Sequence, residues 1–473
     1  MKSDAIALLV EEVRSRFGPK AAVTDAADIA PWATDWRGRY HGRAEAILAP
    51  ASTEEVAAIV GLAAERHVPL VPQGGNTSMV GGATPPADGT ALILSLRRMN
   101  RLREISAEHN LAVAEAGMIL ADLHDQAAAV GRRFPLTLGA RGSCTVGGLV
   151  STNAGGTQVL RFGTMRSLVA GLEAVLPDGS VHNGLSGLKK DNRGYSLDQL
   201  LIGAEGTLGV VTAAALRLVP AVYARAVGWA GVADPQSALA LLRDCESRTD
   251  RVEGFELIPG DSLALVLKHI PGTRTPLAGE HRWHVLVEAT SASAELDPVE
   301  LLQSLLASAL ETGLAEDAMV ASSEAQADAL WKIRDSISEA ERAEGPSTAH
   351  DISVAVADMP RFLLEAKSAV ERAFPGTVAS AFGHLGDGNL HFHVRAGSRA
   401  SPDWHEREGL QITRFIDDLV TAAGGSISAE HGIGQMKRGE LERLSPPGDL
   451  AALRAIKHGL DPLGIMNPGK LVG

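Results

Sequence analysis

The chain has 473 residues, 45% hydrophobic and 21% charged, too many for a single hydrophobic core and enough for two or three domains. Forty-four basic against fifty-seven acidic residues give a net charge of −13, and no lysine or arginine run is long enough to track a polyanion, which argues against a nucleic-acid partner. Two cysteines, Cys144 and Cys245, make neither a disulfide framework nor a thiolate metal cage and fit a reducing compartment, which we read as the cytoplasm.

The start, "MKSDAIALLVEEVRSRFG", reads as an amphipathic helix without the basic and apolar regions of a signal peptide. No apolar run approaches the roughly twenty residues needed to span a bilayer. "STEEVAAIVGLAAERHVPLVPQGGNTS" reads as a capped helix from Ser52 or Thr53, a short strand and a glycine loop. Strands "TALILSL" and "NLAVAEAGM" and the helix "ILADLHDQAAAVGRR" follow. Next comes a long stretch of loops, "FPLTLGARGSCTVGGLVSTNAGG", then a hairpin turning at Asp-Gly in "LEAVLPDGSVH" and a strand ending at Pro220. Residues 1–221 are expected to form one α+β domain. From residue 222 to 425 strands alternate with amphipathic helices, which predicts a sheet with helices on one face. "AQADALWKIRDSISEAERAEG" reads as one helix there. Residues 426–473 return to a glycine-rich texture.

"PQGGNTSMVGG", residues 72–82, follows a strand and can present several backbone N–H groups and hydroxyls to one anion, although it is neither a Walker loop nor GxGxxG entering a helix. "GARGSCTVGGLVSTNAGG" has the same chemistry, and "IGAEGTLGVVT" adds Glu205, suited to accept from ribose hydroxyls or an amide.

In "AFGHLGDGNLHFHV" the alternation puts Asn389, His391 and His393 on one strand face and Leu390, Phe392 and Val394 on the other. His384 reaches the same space from the loop just before. With Glu430 of "SAEHGIG", two imidazoles and a carboxylate make an N₂O set suited to zinc or another divalent ion. His431, next to it, is placed to act as a base. On the helix, Arg334 lies at the edge of the stripe Leu330, Ile333, Ile337 and Ala340, within reach of a pocket rim.

"PQGGNTSMVGG", "LGARGSCTVGGLVSTNAGG" and "LIGAEGTLGVVT", in that order, resemble the vanillyl-alcohol-oxidase or PCMH-type FAD-binding domain of FAD-linked D-2-hydroxyacid dehydrogenases. The resemblance extends from about residue 45 to "MNPGKL". It implies that Pro72, Gly74, Gly75, Asn76, Thr77 and Ser78 hold the pyrophosphate. Leu138, Gly139, Ser143, Thr145, Gly148, Asn153 and Gly155, with Glu205, Gly206, Val210 and Val211, would flank the rest of the FAD, and Asn467 would touch the isoalloxazine ring. Neither histidine nor cysteine lies between residues 72 and 82, so a non-covalent FAD is expected.

"GHLGDGNLH" followed by "EHGIG" is similar to the metal centre of 2-hydroxyglutarate and D-lactate dehydrogenases. This carries over His384, His391 and Glu430 as ligands, His431 as base, and Arg334 with Ser338 one turn on as substrate contacts, beside Asn389 and His393. The implied architecture is this flavin domain, a ferredoxin-like α+β substrate domain, and a C-terminal segment returning to the flavin. The implied reaction is oxidation of a D-2-hydroxyacid, D-2-hydroxyglutarate first and D-lactate or glycolate as alternatives. Ala349 stands where many 2-hydroxyglutarate enzymes carry lysine, Ala355 where they carry proline, and His393 where some relatives have asparagine. The electron acceptor, an electron-transfer flavoprotein or a quinone, and a homodimeric state stay open. So do a flavin-free metallohydrolase, with His431 activating a metal-bound water, and a non-catalytic binding protein.

Overall fold

The computed structural model describes residues 2–397 and 403–472 and divides into two compact units. The first comprises Met1–Gly156, Phe162–Ala221 and Glu430–Gly473; the second comprises Thr157–Arg161 and Val222–Ala429.

In the first unit the opening helix Lys2–Phe17 buries Ile6, Leu9, Val10 and Val13, one face at helical spacing. Each such side chain is worth roughly 1.5–3 kcal/mol on burial, so packing rather than propensity holds the helix. The helix Thr53–Glu65 is closed as its sequence predicts. Ser52 Oγ accepts from the Glu55 amide at 3.3 Å while the Glu55 carboxylate reaches back to the Ala51 amide at 2.8 Å. It feeds the strand Leu70–Gln73, which pairs in parallel with the wholly buried Leu92–Ser95. These lie in a four-stranded sheet with Ile47–Leu48 and Ala22–Val23. A five-stranded antiparallel sheet runs Leu102–Ser106, Leu111–Glu115, Val210–Arg217, Val169–Val175, Val181–Asn183. The stretch expected to be loops contains the helix Val146–Ser151. Its glycines serve packing, since a Cβ on Gly147 would lie 2.7 Å from Ala116 Cβ. The C-terminal segment of this unit lays Met466 in a parallel bridge beside Leu70, at the strand that enters the glycine loop.

The second unit holds a seven-stranded sheet in the order Asp317–Val320, Ala224–Val232, Trp283–Ser291, Val252–Pro259, Val378–His384, Asn389–Arg395, Ser347–Ser353. Helices cover both faces, not one. Leu263, Val266, Leu330, Ile333 and Ile337 pack with Trp229, Ile258 and Phe382 on one side, while Leu306 meets Gly228 on the other. The helix expected over "AQADALWKIRDSISEAERAEG" is two, Glu324–Asp335 and Ile337–Glu344, joined at Ser336. The segment Thr157–Arg161 is built into this unit: Arg161 Nη1 donates to Glu253 at 2.6 Å, and Leu160 lies against Gly386. Among the described residues no helix is long and apolar enough to cross a membrane.

The hairpin Val378–His384 to Asn389–Arg395 turns at Gly388, with φ 82° and a hypothetical Cβ 2.1 Å from Val354 O. Gly388→Ala is expected to destabilise the protein by about 3 kcal/mol or more, combining left-handed strain with a backbone clash. Gly376→Ala, at φ 92° with nothing within 4 Å of its Cβ, should cost only about 1 kcal/mol. Urea midpoints of the two variants test the difference.

Candidate functional site

In the first unit two glycine loops meet backbone to backbone. A Cβ on Gly75 would lie 1.9 Å from Ser143 O, and one on Gly74 2.1 Å from Thr145 Oγ1. Only glycine permits that approach. Ser78 Oγ accepts the Gly82 amide at 2.9 Å and shapes the far side of the first loop. Asn76 Nδ2 anchors it to Thr34 O at 2.8 Å. Glu205 does not face outward to await a hydroxyl: its carboxylate accepts the Ile433 and Gly434 amides, each at 2.7 Å, and burial pushes its pKa up. Its carbonyl holds Asn467 Nδ2 at 2.6 Å, and the same amide reaches Gly82 O at 2.9 Å. Residues 74–78, 143–145, 205 and 467 are thus brought together. Val210 and Val211 instead bury their side chains in two separate cores, which leaves only their backbone for any ligand.

Among the described residues seven non-glycine positions have positive φ, and four of them, Asn76, Asn153, Glu205 and Asn467, were singled out from sequence. Left-handed backbone of this kind persists where the surrounding structure holds the turn in place. Gln73 Oε1, Thr145 Oγ1 and Asn467 Oδ1 are buried without a hydrogen-bond partner. Glycine cradle and unpaired acceptors together fit a long polar ligand such as FAD.

In the second unit the predicted alternation holds: Leu390, Phe392 and Val394 are fully buried, and the opposite face carries Asn389, His391 and His393. Phe382 lies edge-on or tilted to both histidine rings at 5.2 Å. His384 is the last residue of the strand Val378–His384 rather than a loop residue, because it still pairs with Asn389. Its ring lies 5.4 Å from that of His391.

Sequence reasoning missed the group that organises this face. Glu256, 1% exposed, lies beside His384 in the sheet and bonds His384 Nδ1 at 2.6 Å and Arg334 Nε at 2.8 Å. The signal was a glutamate inside the otherwise apolar strand "GFELIP". Burial alone would raise its pKa, but Arg334 and His384 outweigh it and hold the carboxyl at about 2. With Nδ1–H directed at Glu256, the other nitrogen of His384 carries the lone pair, the arrangement that supports a metal-ligating imidazole. Arg334 is not the rim cation expected: it is buried, with Nη2 3.2 Å from His384 Nε2. Burial, the main cause, and the Arg334 charge beside it hold the His391 pKa well below its ordinary value, so its ring is neutral. Asn389 Nδ2 donates to Asp351 Oδ1 at 2.9 Å and Ile352 O at 3.0 Å, and its Oδ1 is unpaired. Ala349 pairs with His393 across the ladder, and Ser338 is half-buried near the start of the helix Ile337–Glu344. Within the second unit His384 and His391 bring two imidazole donors close together, and Asp351 adds a buried carboxylate that sequence reasoning did not foresee. Glu430 and His431 open the C-terminal segment of the first unit, directly after Ala429, whose amide bonds Asp351 O at 3.4 Å.

Glu256→Gln is expected to destabilise the protein by about 3–5 kcal/mol by leaving Arg334 buried without its counter-charge. Because the folded pKa of Glu256 lies below its ordinary 4.5, its contribution is present above that pH and is lost as pH falls towards 2. Chemical denaturation at pH 7 and pH 3.5 should show the gap between wild type and variant narrowing.

A family model described as the C-terminal domain of FAD linked oxidases matches residues 223–471, and one described as an FAD binding domain matches residues 44–184. The chain is 35% identical over 459 residues to the mitochondrial D-2-hydroxyglutarate dehydrogenase of Arabidopsis thaliana, covering 96% of this chain and 80% of that one. It is also 35% identical over 448 residues to the D-2-hydroxyglutarate dehydrogenase of Xanthomonas citri, covering 95% and 93%. The structure of p-cresol methylhydroxylase with substrate bound superposes with a TM-score of 0.76 over 99% of this chain and 97% of that one, at 15% identity, so the shared feature is the fold. These matches set aside the flavin-free hydrolase and the non-catalytic binding protein. The chain belongs to the FAD-linked oxidase family and is an FAD-binding oxidoreductase of the PCMH-type fold.

Proposed function

We propose that this protein is an FAD- and divalent-metal-dependent dehydrogenase that oxidises a D-2-hydroxyacid, D-2-hydroxyglutarate first, to the 2-oxoacid. The observation that carries the reading is His384, whose Nδ1 is fixed on a buried carboxylate while its second nitrogen and the neutral His391 share one strand-pair face with Asn389. His384, His391 and Glu430 are our ligand set, with zinc as the first candidate. When bound, FAD held by the first unit would supply the hydride acceptor, and a divalent cation held by His384, His391 and Glu430 would supply Lewis acidity toward the substrate hydroxyl.

The chain's own groups do the rest. His431, one bond from Glu430, takes the hydroxyl proton. Arg334 supplies positive charge for the substrate carboxylate, with Ser338 one turn along the chain. Asn389 offers its unpaired Oδ1 as an acceptor. His393, opposite Ala349, faces the far end of the substrate. With alanine in place of a lysine there, a smaller acid such as D-lactate or glycolate is the second reading. The first unit is our flavin domain and holds FAD non-covalently; the second is our substrate domain. An electron-transfer flavoprotein or a quinone is the proposed acceptor and a homodimer the proposed assembly. Two buried thiols, Cys144 and Cys245, fit the reducing cytoplasm.

Anaerobic mixing with paired D- and L-2-hydroxyacids tests the reaction. D-isomers should bleach the flavin, and chelator or His431→Ala should slow bleaching by about two orders of magnitude or more. Bleaching that survives complete metal removal refutes the metal's role, and bleaching by L-isomers refutes the stereochemistry. Separately, Gly75→Ala should lower FAD affinity at least about tenfold, because its Cβ displaces the Ser143 backbone. Flavin release on ultrafiltration reads this out.

A further inference from the structure

The C-terminal segment of the first unit contains two inward-facing lysines that the fold treats differently. Lys457 spreads its ammonium over Thr207 O at 2.7 Å, Asp461 Oδ2 at 2.5 Å and Met466 O at 2.8 Å, as a structural lysine must. Lys470 is 2% exposed, among the largest fully buried side chains. Among the described residues its one hydrogen bond is to Pro468 O at 3.5 Å, the outer limit for such a bond, and it forms no ion pair. Leaving an ammonium so poorly satisfied costs several kcal/mol unless something else accepts from it.

The turn that carries it runs through left-handed backbone at Asn467, Gly469 and Leu471, with φ of 43°, 77° and 56°, which is strained at the leucine. The turn is pinned by the Asn467 amide on Leu70 O at 2.8 Å and the Leu471 amide on Gly434 O at 3.1 Å. Asn467 uses its Nδ2 on Gly82 O and Glu205 O and leaves Oδ1 buried and unpaired. These four residues therefore present one unpaired acceptor and one ammonium with a single, marginal hydrogen bond. The pyrimidine edge of a flavin has the complementary pattern, ring carbonyls on either side of N3–H.

We propose that Lys470 is a flavin-binding cation: its ammonium donates to the N1–C2=O side of the ring while Asn467 Oδ1 accepts from N3–H. The charged groups that Lys470 faces are Glu205 and Arg438. The Glu205 carboxylate would repel a pyrophosphate dianion, whereas the ring edge is neutral when oxidised and gains a single negative charge on reduction. Burial, the main cause, with Arg438 opposing and Glu205 favouring the charge, sets Lys470 at about 8, so it is protonated at neutral pH and responsive to charge that develops beside it. The assignment rests on FAD binding alone, so a failure of the substrate reading leaves it intact.

The test uses FAD-loaded full-length protein. Sulfite adds to flavin N5 and places negative charge on the N1–C2=O locus, so Lys470→Met should weaken sulfite binding at least about tenfold while Lys470→Arg retains most of it. In unmutated protein, 8-mercapto-FAD should take the benzoquinoid form, whose negative charge lies at N1–C2=O. In Lys470→Met it should revert to the thiolate spectrum. This spectral readout does not depend on turnover, and the unmutated protein keeps the idea testable if the methionine variant folds poorly. A thiolate spectrum in the unmutated protein overturns the proposal. So does unchanged sulfite affinity in the variant, or a large loss of FAD affinity with both ring readouts unmoved, which would assign the lysine to the pyrophosphate.

Discussion

The sheet face that carries His384, His391 and Asn389 depends on one buried carboxylate. Glu256 lies in mid-sheet at 1% exposure, and an ion taken from water into such a place costs several kcal/mol. That cost is offset only if Arg334 from the helix Glu324–Asp335 and His384 from the strand Val378–His384 arrive at hydrogen-bonding distance together. The penalty therefore acts as a geometric constraint, because a displaced helix or a slipped strand would leave a charge stranded in the core. The carboxylate that demands this arrangement also selects the His384 tautomer, so the group that fixes position fixes chemistry as well. The same strand repeats the device at Glu253, which takes Arg161 at 2.6 Å and Thr290 Oγ1 at 2.5 Å and so ties the segment Thr157–Arg161 into the second unit.

How much of this was legible follows from which patterns have a single physical reading. The capping of the helix Thr53–Glu65 and the face shared by Asn389, His391 and His393 were readable because each rests on local geometry that nothing else imitates. Glu256 was not. A strand with one solvated face places its glutamates outward, and that expectation came with a sheet covered by helices on one side. With helices on both faces every residue of Val252–Pro259 is buried, so alternation carries no information and each charge in the strand implies a partner far away in sequence. The helix Val146–Ser151 was hidden for a related reason: Gly147 and Gly148 signal a loop by propensity, whereas here glycine lets the helix approach Ala116. The break at Ser336 is likewise invisible to periodicity, since Leu330, Ile333, Ile337 and Ala340 stay on one stripe through it.

What the two units share is an asymmetry in how they use buried amides. Gln73 gives its Nε2 to Trp32 O and Ala83 O, Asn467 gives its Nδ2 to Gly82 O and Glu205 O, and Asn389 gives its Nδ2 to Asp351 and to Ile352 O. In all three the amide oxygen is left buried and unpaired. Each donor side is spent on holding a turn or a strand end, which accounts for the order of these segments without any ligand. Each acceptor side remains an energetic debit of about 1–3 kcal/mol until a donor reaches it. A protein that buries three such acceptors selects, at each of these places, for a partner that brings an O–H or N–H group, because only a donor removes the debit.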